Sequence, residues 1–169
     1  AYPDKLRHIA QPPYAIFCKG AMPDARKSVG IVGARMCSEY GRSIATKLGK
    51  LLADKDVQVI SGMALGIDSA SHAGALQGKG STFAVLGCGC DVCYPKNARN
   101  LYENIQSSGG GILSEYPPGT EPMPYRFPER NRIISALSDC LVVVEAKKKS
   151  GSLITADAAL EQGKDVYAV

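Results

Sequence analysis

The chain has 169 residues, of which 45% are apolar and 21% charged, with a formal net charge of +4. These values fit one globular domain with a sizeable core and exclude a disordered chain, while the mild positive charge permits a polyanionic partner without establishing one. No apolar stretch approaches the ~20 residues that cross a bilayer, and the start Ala1-Tyr2-Pro3-Asp4 lacks the basic and apolar regions of a signal peptide, so a cytoplasmic protein with no membrane partner is expected.

In chain order, residues 1–20, with Pro3, Pro12 and Pro13, read as an extended lead-in to a domain spanning 21–169. Short runs rich in Val, Ile and Leu with little polar alternation follow at 29–33, 57–61, 82–87, 111–114, 140–145 and 165–169, the pattern of strands buried on both faces. Between the first two, Ile44, Leu48, Leu51 and Leu52 recur at helical spacing behind a possible cap at Ser38. Further helical stripes are Leu101 with Ile105 after Asn97, then Ile133, Ile134 and Leu137 after Pro128, and Leu153, Ala156 and Leu160 after Ser152. Residues 115–127 carry four prolines and little periodicity, which predicts an ordered surface loop. Alternation of strand and helix implies right-handed crossovers and an α/β fold with a doubly wound, mostly parallel sheet.

Such sheets bind ligands outside the carboxyl ends of their strands, so the loops that follow strands are where function is sought. They supply Arg35, Lys96, Arg130, Arg132 and the lysines Lys147, Lys148 and Lys149, with Asn97 and Asn131 as neutral donors. Two arginines in the first turn of the helix after Pro128 oppose its dipole, a cost that a nearby anion relieves; solvated arginines on an exposed turn are the competing explanation. The run Ser150-Gly151-Ser152-Leu153-Ile154-Thr155-Ala156 reads as a loop opening a helix, where Ser152 and Thr155 hydroxyls and free N–H groups converge on a phosphate, or where Ser152 caps the helix. Arginine forks and lysine point charges in such number suit several phosphates in a row, hence a nucleic-acid backbone. Tyr94, Tyr116, Tyr125 and Phe127 lie in or beside these loops as candidate base platforms, each with ordinary packing as the alternative.

Other chemistries fit less well. Gly33-Ala34-Arg35-Met36-Cys37-Ser38 departs from the dinucleotide-binding glycine pattern by placing an arginine where the backbone must approach the ligand, and no phosphate-binding Gly-x-x-x-x-Gly-Lys-Ser/Thr loop occurs. Glu115 and Glu145 end strands and are candidates for paired acid-base work, but no histidine or activated nucleophile accompanies them in those loops. Six cysteines in a cytosolic chain argue for reduced thiols, with Cys18 and Cys140 as core residues; Cys88, Cys90 and Cys93 are spaced for a metal but lack an evident fourth ligand, so no metal and no cofactor is expected.

The succession Val32-Gly33-Ala34-Arg35, Ser61-Gly62-Met63-Ala64-Leu65-Gly66-Ile67-Asp68, Tyr94-Pro95-Lys96-Asn97, Phe127-Pro128-Glu129-Arg130-Asn131-Arg132-Ile133-Ile134-Ser135 and Ser150-Gly151-Ser152-Leu153-Ile154-Thr155-Ala156 resembles the DNA-processing protein A (DprA/Smf) family across nearly the whole chain. The resemblance implies an extended Rossmann-like domain that binds single-stranded DNA, protects it in natural transformation and recombination, helps load the RecA recombinase and is not an enzyme. It further implies that Arg35 contacts DNA phosphate, that Lys96 is a second basic residue of the DNA groove, and that Asn97, Arg130, Asn131, Arg132, Ser152 and Thr155 surround that pocket. Family members often carry a helical domain before this region and a winged-helix domain after it, and they continue past the apolar end Val166-Tyr167-Ala168-Val169. Truncation at the C-terminus and a homodimer in the full-length protein are therefore expected. The alternative is a nucleoside-monophosphate hydrolase of the lysine-decarboxylase-like Rossmann family, with Glu161 as its candidate glutamate, although the Pro-Gly-Gly-x-Gly-Thr loop of those enzymes is replaced here by Lys149-Ser150-Gly151-Ser152-Leu153-Ile154-Thr155.

Overall fold

The computed structural model describes residues 2–148 and 150–169. Apolar pairs that alternate along each strand decide the architecture, because adjacent side chains of a strand point to opposite faces. In the central strands one member of each pair, Val32, Ile60, Val85, Leu113 or Val143, joins the core on one face, and its neighbour, Ile31, Val59, Ala84, Ile112 or Val142, joins the core on the other. Helices must therefore cover both faces.

The strands are β1 (Phe17–Gly20), β2 (Ser28–Gly33), β3 (Gln58–Ser61), β4 (Thr82–Leu86), β5 (Gly111–Ser114), β6 (Cys140–Val144) and β7 (Asp165–Ala168), and the helices are α1 (Glu39–Asp54), α2 (Ile67–Ala75), α3 (Arg99–Ser107), α4 (Arg126–Leu137) and α5 (Gly151–Glu161). One sheet runs β1-β5-β4-β3-β2-β6-β7, parallel throughout except for β1, which pairs antiparallel with β5. Helices α1, α2 and α3 cover one face, and α4, α5 and a one-turn 3-10 helix at Asp4–Leu6 cover the other. From β2 the chain steps outward through β3, β4 and β5, then returns through α4 to β6 on the other side of β2. This reversal opens a crevice between the carboxyl ends of β2 and β6.

The doubly wound, mostly parallel α/β fold stands as expected, with differences of physical interest. Residues 17–20 of the lead-in form the edge strand β1; it is half-buried to exposed and four residues long, so only its partner β5 defines it. Leu6, also in that segment, is fully buried under α4. Helix α2 carries no amphipathic stripe because Ile67, Ala70, Ser71, His72, Gly74 and Ala75 are all buried. Helix α4 begins at Arg126, before Pro128, whose missing N–H falls in a first turn that leaves such groups unpaired anyway. Arg130 and Arg132 thus lie in the second turn, where the dipole argument made for a first turn loses force. The stripe expected to bury α5 is rotated: Leu153 and Leu160 are 37% and 60% exposed, while Ser152, Thr155, Ala156 and Ala159 are buried. Ser38 caps α1 as expected, its side chain accepting from the Gly41 N–H.

Candidate nucleic-acid interface

A cleft of about 450 Å³ opens at the crevice between β2 and β6. Its walls come from the loop after β2 (Gly33, Ala34, Arg35, Met36), the first half of α4 (Phe127, Pro128, Arg130, Asn131) and the loop before α5 with that helix's first turn (Lys147, Ser150, Gly151, Ser152, Thr155); Ala64 and Asp68, beyond β3, also line it. Residues beyond the carboxyl ends of β2, β3 and β6 meet the amino-terminal halves of α4 and α5 here because the chain reversal leaves this edge open.

The start of α5 faces the cleft with its first turn. Ser150 is its N-cap, yet the Ser150 side chain caps no backbone N–H and instead pairs with the Ser152 hydroxyl at 2.7 Å. Ser152 is therefore the second helical residue and not the cap. Asn131 donates to the Gly151 carbonyl at 3.1 Å, tying α4 to this turn, and the Thr155 hydroxyl bonds the same carbonyl at 3.4 Å. First-turn N–H groups, the positive end of the helix dipole and two buried hydroxyl side chains thus converge on the cleft.

Below them lies a buried charge arrangement. Arg130 is 4% exposed, donating through Nη1 to the carbonyls of Gly62 and Val85 and through Nε to Asn131 Oδ1. Asp68, 6% exposed, accepts the Gly62 N–H at 3.1 Å. A Cβ on Gly62 would lie 2.7 Å from Arg130 Nη2 and 2.8 Å from Asp68 Oδ2, so a larger residue there would displace one of the two. Burial pushes the Asp68 carboxyl up to about 6, against the pull of Arg130 and nearby backbone N–H groups, and burial lowers Arg130 to about 10 against the pull of Asp68. Met63 beside them holds a φ of 56° while fully buried, backbone strain that only dense packing sustains.

Arg35 is exposed at the rim, its guanidinium 5.7 Å from the centre of the Phe127 ring. Phe127 stacks in turn on Tyr94, 5.4 Å away and inclined by 28°. Arg35 and Phe127 separate the cleft from a smaller hollow of about 80 Å³ floored by Met63, Leu86 and Gly87 and edged by Tyr94. The candidates are not all brought together. Arg35, Arg130, Asn131, Ser152, Thr155 and Lys147 line the cleft. Lys96 and Asn97 are exposed on the 3-10 turn Lys96–Ala98, next to Pro95 of the smaller hollow but outside the cleft. Arg132 turns away into a separate groove, where it grips Glu115 with two bonds of 2.9 and 2.6 Å and donates to the Gln11 carbonyl. Lys148 is exposed, and Lys149 lies outside the described residues. Tyr116 and Tyr125 both take the Arg126 guanidinium over their rings, at 5.0 and 5.5 Å.

The acid-base pairing of Glu115 and Glu145 is overturned by topology, since β4, β3 and β2 stand between the strands they follow. Glu115 is committed to Arg132 and Glu145 to Ser38. Glu161 ends α5, about 14 Å along the axis from Ser152 at the usual rise per residue. Among the described residues no group of three or more His, Cys, Asp or Glu is placed to hold a metal ion. Cys88 and Cys90 are buried beneath α3, and burial pushes the Cys88 thiol up to about 11. No helix of the described residues is long and apolar enough to cross a membrane. Asp68 is the charged lining residue that sequence reasoning does not single out, because the helix it opens is buried too evenly to show an apolar stripe.

Comparison with known proteins places these features in context. The model of a family described as DNA recombination-mediator protein A matches residues 1–169. DNA processing protein DprA of Bacillus subtilis is 44% identical over 170 residues, covering 99% of this chain and 57% of that protein, so the chain spans little more than half of that relative's length. The X-ray structure of DNA processing protein A from Streptococcus pneumoniae superposes with a TM-score of 0.90 at 42% identity, covering 99% of this chain and 59% of that one. DNA processing protein A from Helicobacter pylori, solved to describe its single-stranded DNA binding mode, superposes with a TM-score of 0.87 at 30% identity over 99% of this chain and 77% of that one.

Proposed function

The chain belongs to the DNA recombination-mediator protein A family, and on that footing we propose that it binds single-stranded DNA through the cleft at the β2–β6 crevice, chiefly by its phosphates. The observation that carries this reading is the convergence of the α5 N-terminus with Arg35, Arg130 and Lys147 on one cavity. A phosphate resting on the first turn of α5 takes N–H groups that the Ser150 side chain leaves uncapped, and Arg35 closes over it from the rim. Lys96 and Asn97 extend the track past Tyr94. Asn131 orients the helix start, and Thr155 supports it from below. Tyr94, 41% exposed and stacked on Phe127, offers a face to a base, which adds about 1–3 kcal/mol without reading sequence. Arg132 acts structurally, through Glu115.

In this reading the DNA-binding Rossmann-like domain takes in the segment before residue 21 as well, since β1 belongs to its sheet and Leu6 to its core. The protein shelters incoming strands during natural transformation and recombination in the cytoplasm, hands them to the RecA recombinase, works as a homodimer in its full-length form and catalyses no reaction. The Helicobacter pylori relative's binding of single-stranded DNA supports the ligand class.

Titration of labelled single- and double-stranded oligonucleotides over a range of salt tests the proposal. Arg35, Lys96 and Lys147 contribute fully and Arg130, shared with Asp68, contributes in part, so log K should fall against log salt with a slope between about −2 and −3, at roughly 0.7 per phosphate neutralised on a single strand. Arg35→Ala should weaken binding to every sequence and reduce the slope by about one contact's share. Equal affinity for duplex, or an Arg35→Ala, Lys96→Ala double variant that binds like the parent at moderate salt, overturns the reading.

A further inference from the structure

The loop that carries Arg35 is held at both ends by one residue of the neighbouring strand. Glu145 directly follows β6, and its main-chain oxygen accepts the Ala34 N–H at 2.8 Å. Its carboxylate accepts the Ser38 N–H at 2.9 Å through each oxygen and the Ser38 hydroxyl at 2.8 Å. Residues 34 and 38 are thereby pinned to one point just past β6, with Arg35 between them. To reach both, Glu145 adopts a φ of 57°, a left-handed conformation that strains a residue with a Cβ. The fit is close: a Cβ on Gly41 would sit 2.2 Å from Glu145 Oε2, so the first turn of α1 presses its backbone onto the carboxylate. Hydrogen bonds from Ser38 hold that carboxyl below its ordinary range, so it is ionised at neutral pH.

An ionised carboxylate beside a phosphate cleft is unfavourable for the ligand by charge alone. Its geometry supplies the compensation. We propose that Glu145 is a positioning residue: it fixes loop 34–38 so that Arg35 is presented to DNA phosphate. The inference rests on the reading that Arg35 binds phosphate. It assigns Glu145 no contact with DNA, so the residue acts wholly through Arg35 and the loop.

A double-mutant cycle tests this. The parent, Glu145→Ala, Arg35→Ala and the double variant are titrated with a labelled oligothymidylate, and Glu145→Ala is also measured in a Lys96→Ala background. Removing a negative charge near an anionic ligand should by itself tighten binding, so the expected loss has the opposite sign to the charge effect. Glu145→Ala should weaken binding about five- to tenfold in the parent and with Lys96→Ala, but less than about twofold where Arg35 is already absent, the signature of direct coupling. Glu145→Gln, which keeps one acceptor oxygen toward Ser38, should recover most of the affinity. If Glu145→Ala does not fold, Ser38→Ala removes the other half of the clamp and enters the same cycle with the same expectation. Binding by Glu145→Ala as tight as the parent, an equal loss with and without Arg35, or a Gln variant as weak as the Ala variant overturns the proposal. Parent-like binding by Arg35→Ala defeats the reading of the cleft itself, whereas a weak Arg35→Ala beside an unaffected Glu145→Ala defeats only the role of Glu145.

Discussion

His72, fully buried in α2, makes the fold sensitive to acid in a way that one substitution isolates. The Thr82 hydroxyl donates to the Val59 carbonyl at 2.8 Å, so it must accept from the imidazole Nδ1–H, 2.7 Å away; Nε2 is then the unprotonated nitrogen, and it has no protein partner. Burial, reinforced by the positive charge of Arg130, lowers the ring's pKa from 6.5 to about 3. A pKa depressed by folding contributes stability that is present above the unfolded value and lost as pH falls through the folded one. At about pH 5 the unfolded chain has gained a proton that the folded chain refuses, and 1.5 units at 1.36 kcal/mol each make a loss of about 2 kcal/mol, growing toward about 5 kcal/mol near pH 3. Urea unfolding of the parent and of His72→Leu at about pH 7.5 and about pH 5 measures this, because the carboxylates that also titrate cancel in the difference between the two proteins. The parent should lose about 2 kcal/mol more than the variant across that interval. An equal loss in both, or an imidazole that titrates near 6.5 in the folded protein, refutes the reasoning.

Arg132→Ala should destabilise the fold by about 1–3 kcal/mol, since it strands the mostly buried Glu115 carboxylate, and adding Glu115→Gln should return part of that loss in urea unfolding. Leu160→Ser, on the exposed side of α5, should change stability by no more than about 0.5 kcal/mol, whereas Leu137→Ala in α4 should cost about 2–4 kcal/mol by opening a cavity under the sheet.

The contrast between those two leucines marks how far patterning alone reaches. Both fall in helical stripes of the sequence, yet Leu137 is 2% exposed and Leu160 is 60% exposed. Around α4 the stripe is decisive because Ile133, Ile134 and Leu137 have the whole sheet beneath them. In α5, near one end of the sheet, small residues allow close approach, and the buried face is set by Ala156 and Ala159 together with the need to turn Ser152 and Thr155 toward the cleft. Helix α2 escapes pattern reading for a related reason, being buried through most of its length.

At the site, motif position placed Arg35, Asn131, Ser152 and Thr155 at one edge, where they line one cavity, because the strand-to-helix loops and helix starts of a doubly wound sheet gather there. It did not separate Arg130 from Arg132, two residues apart on one helix. Their rotation about α4 sends Arg130 beneath the cleft beside Asp68 and Arg132 to Glu115 across a different groove, and no local rule distinguishes them. Nor does spacing reveal that Glu145, 107 residues from Ser38, holds the Arg35 loop. Six of the seven strands, their burial on both faces and the edge where the strand-end loops gather follow from short apolar runs and chain order. Which charges meet, and which carboxylate holds which loop, depends on strand order and helix rotation, because charge contacts form between residues that only the closed sheet brings within hydrogen-bond reach.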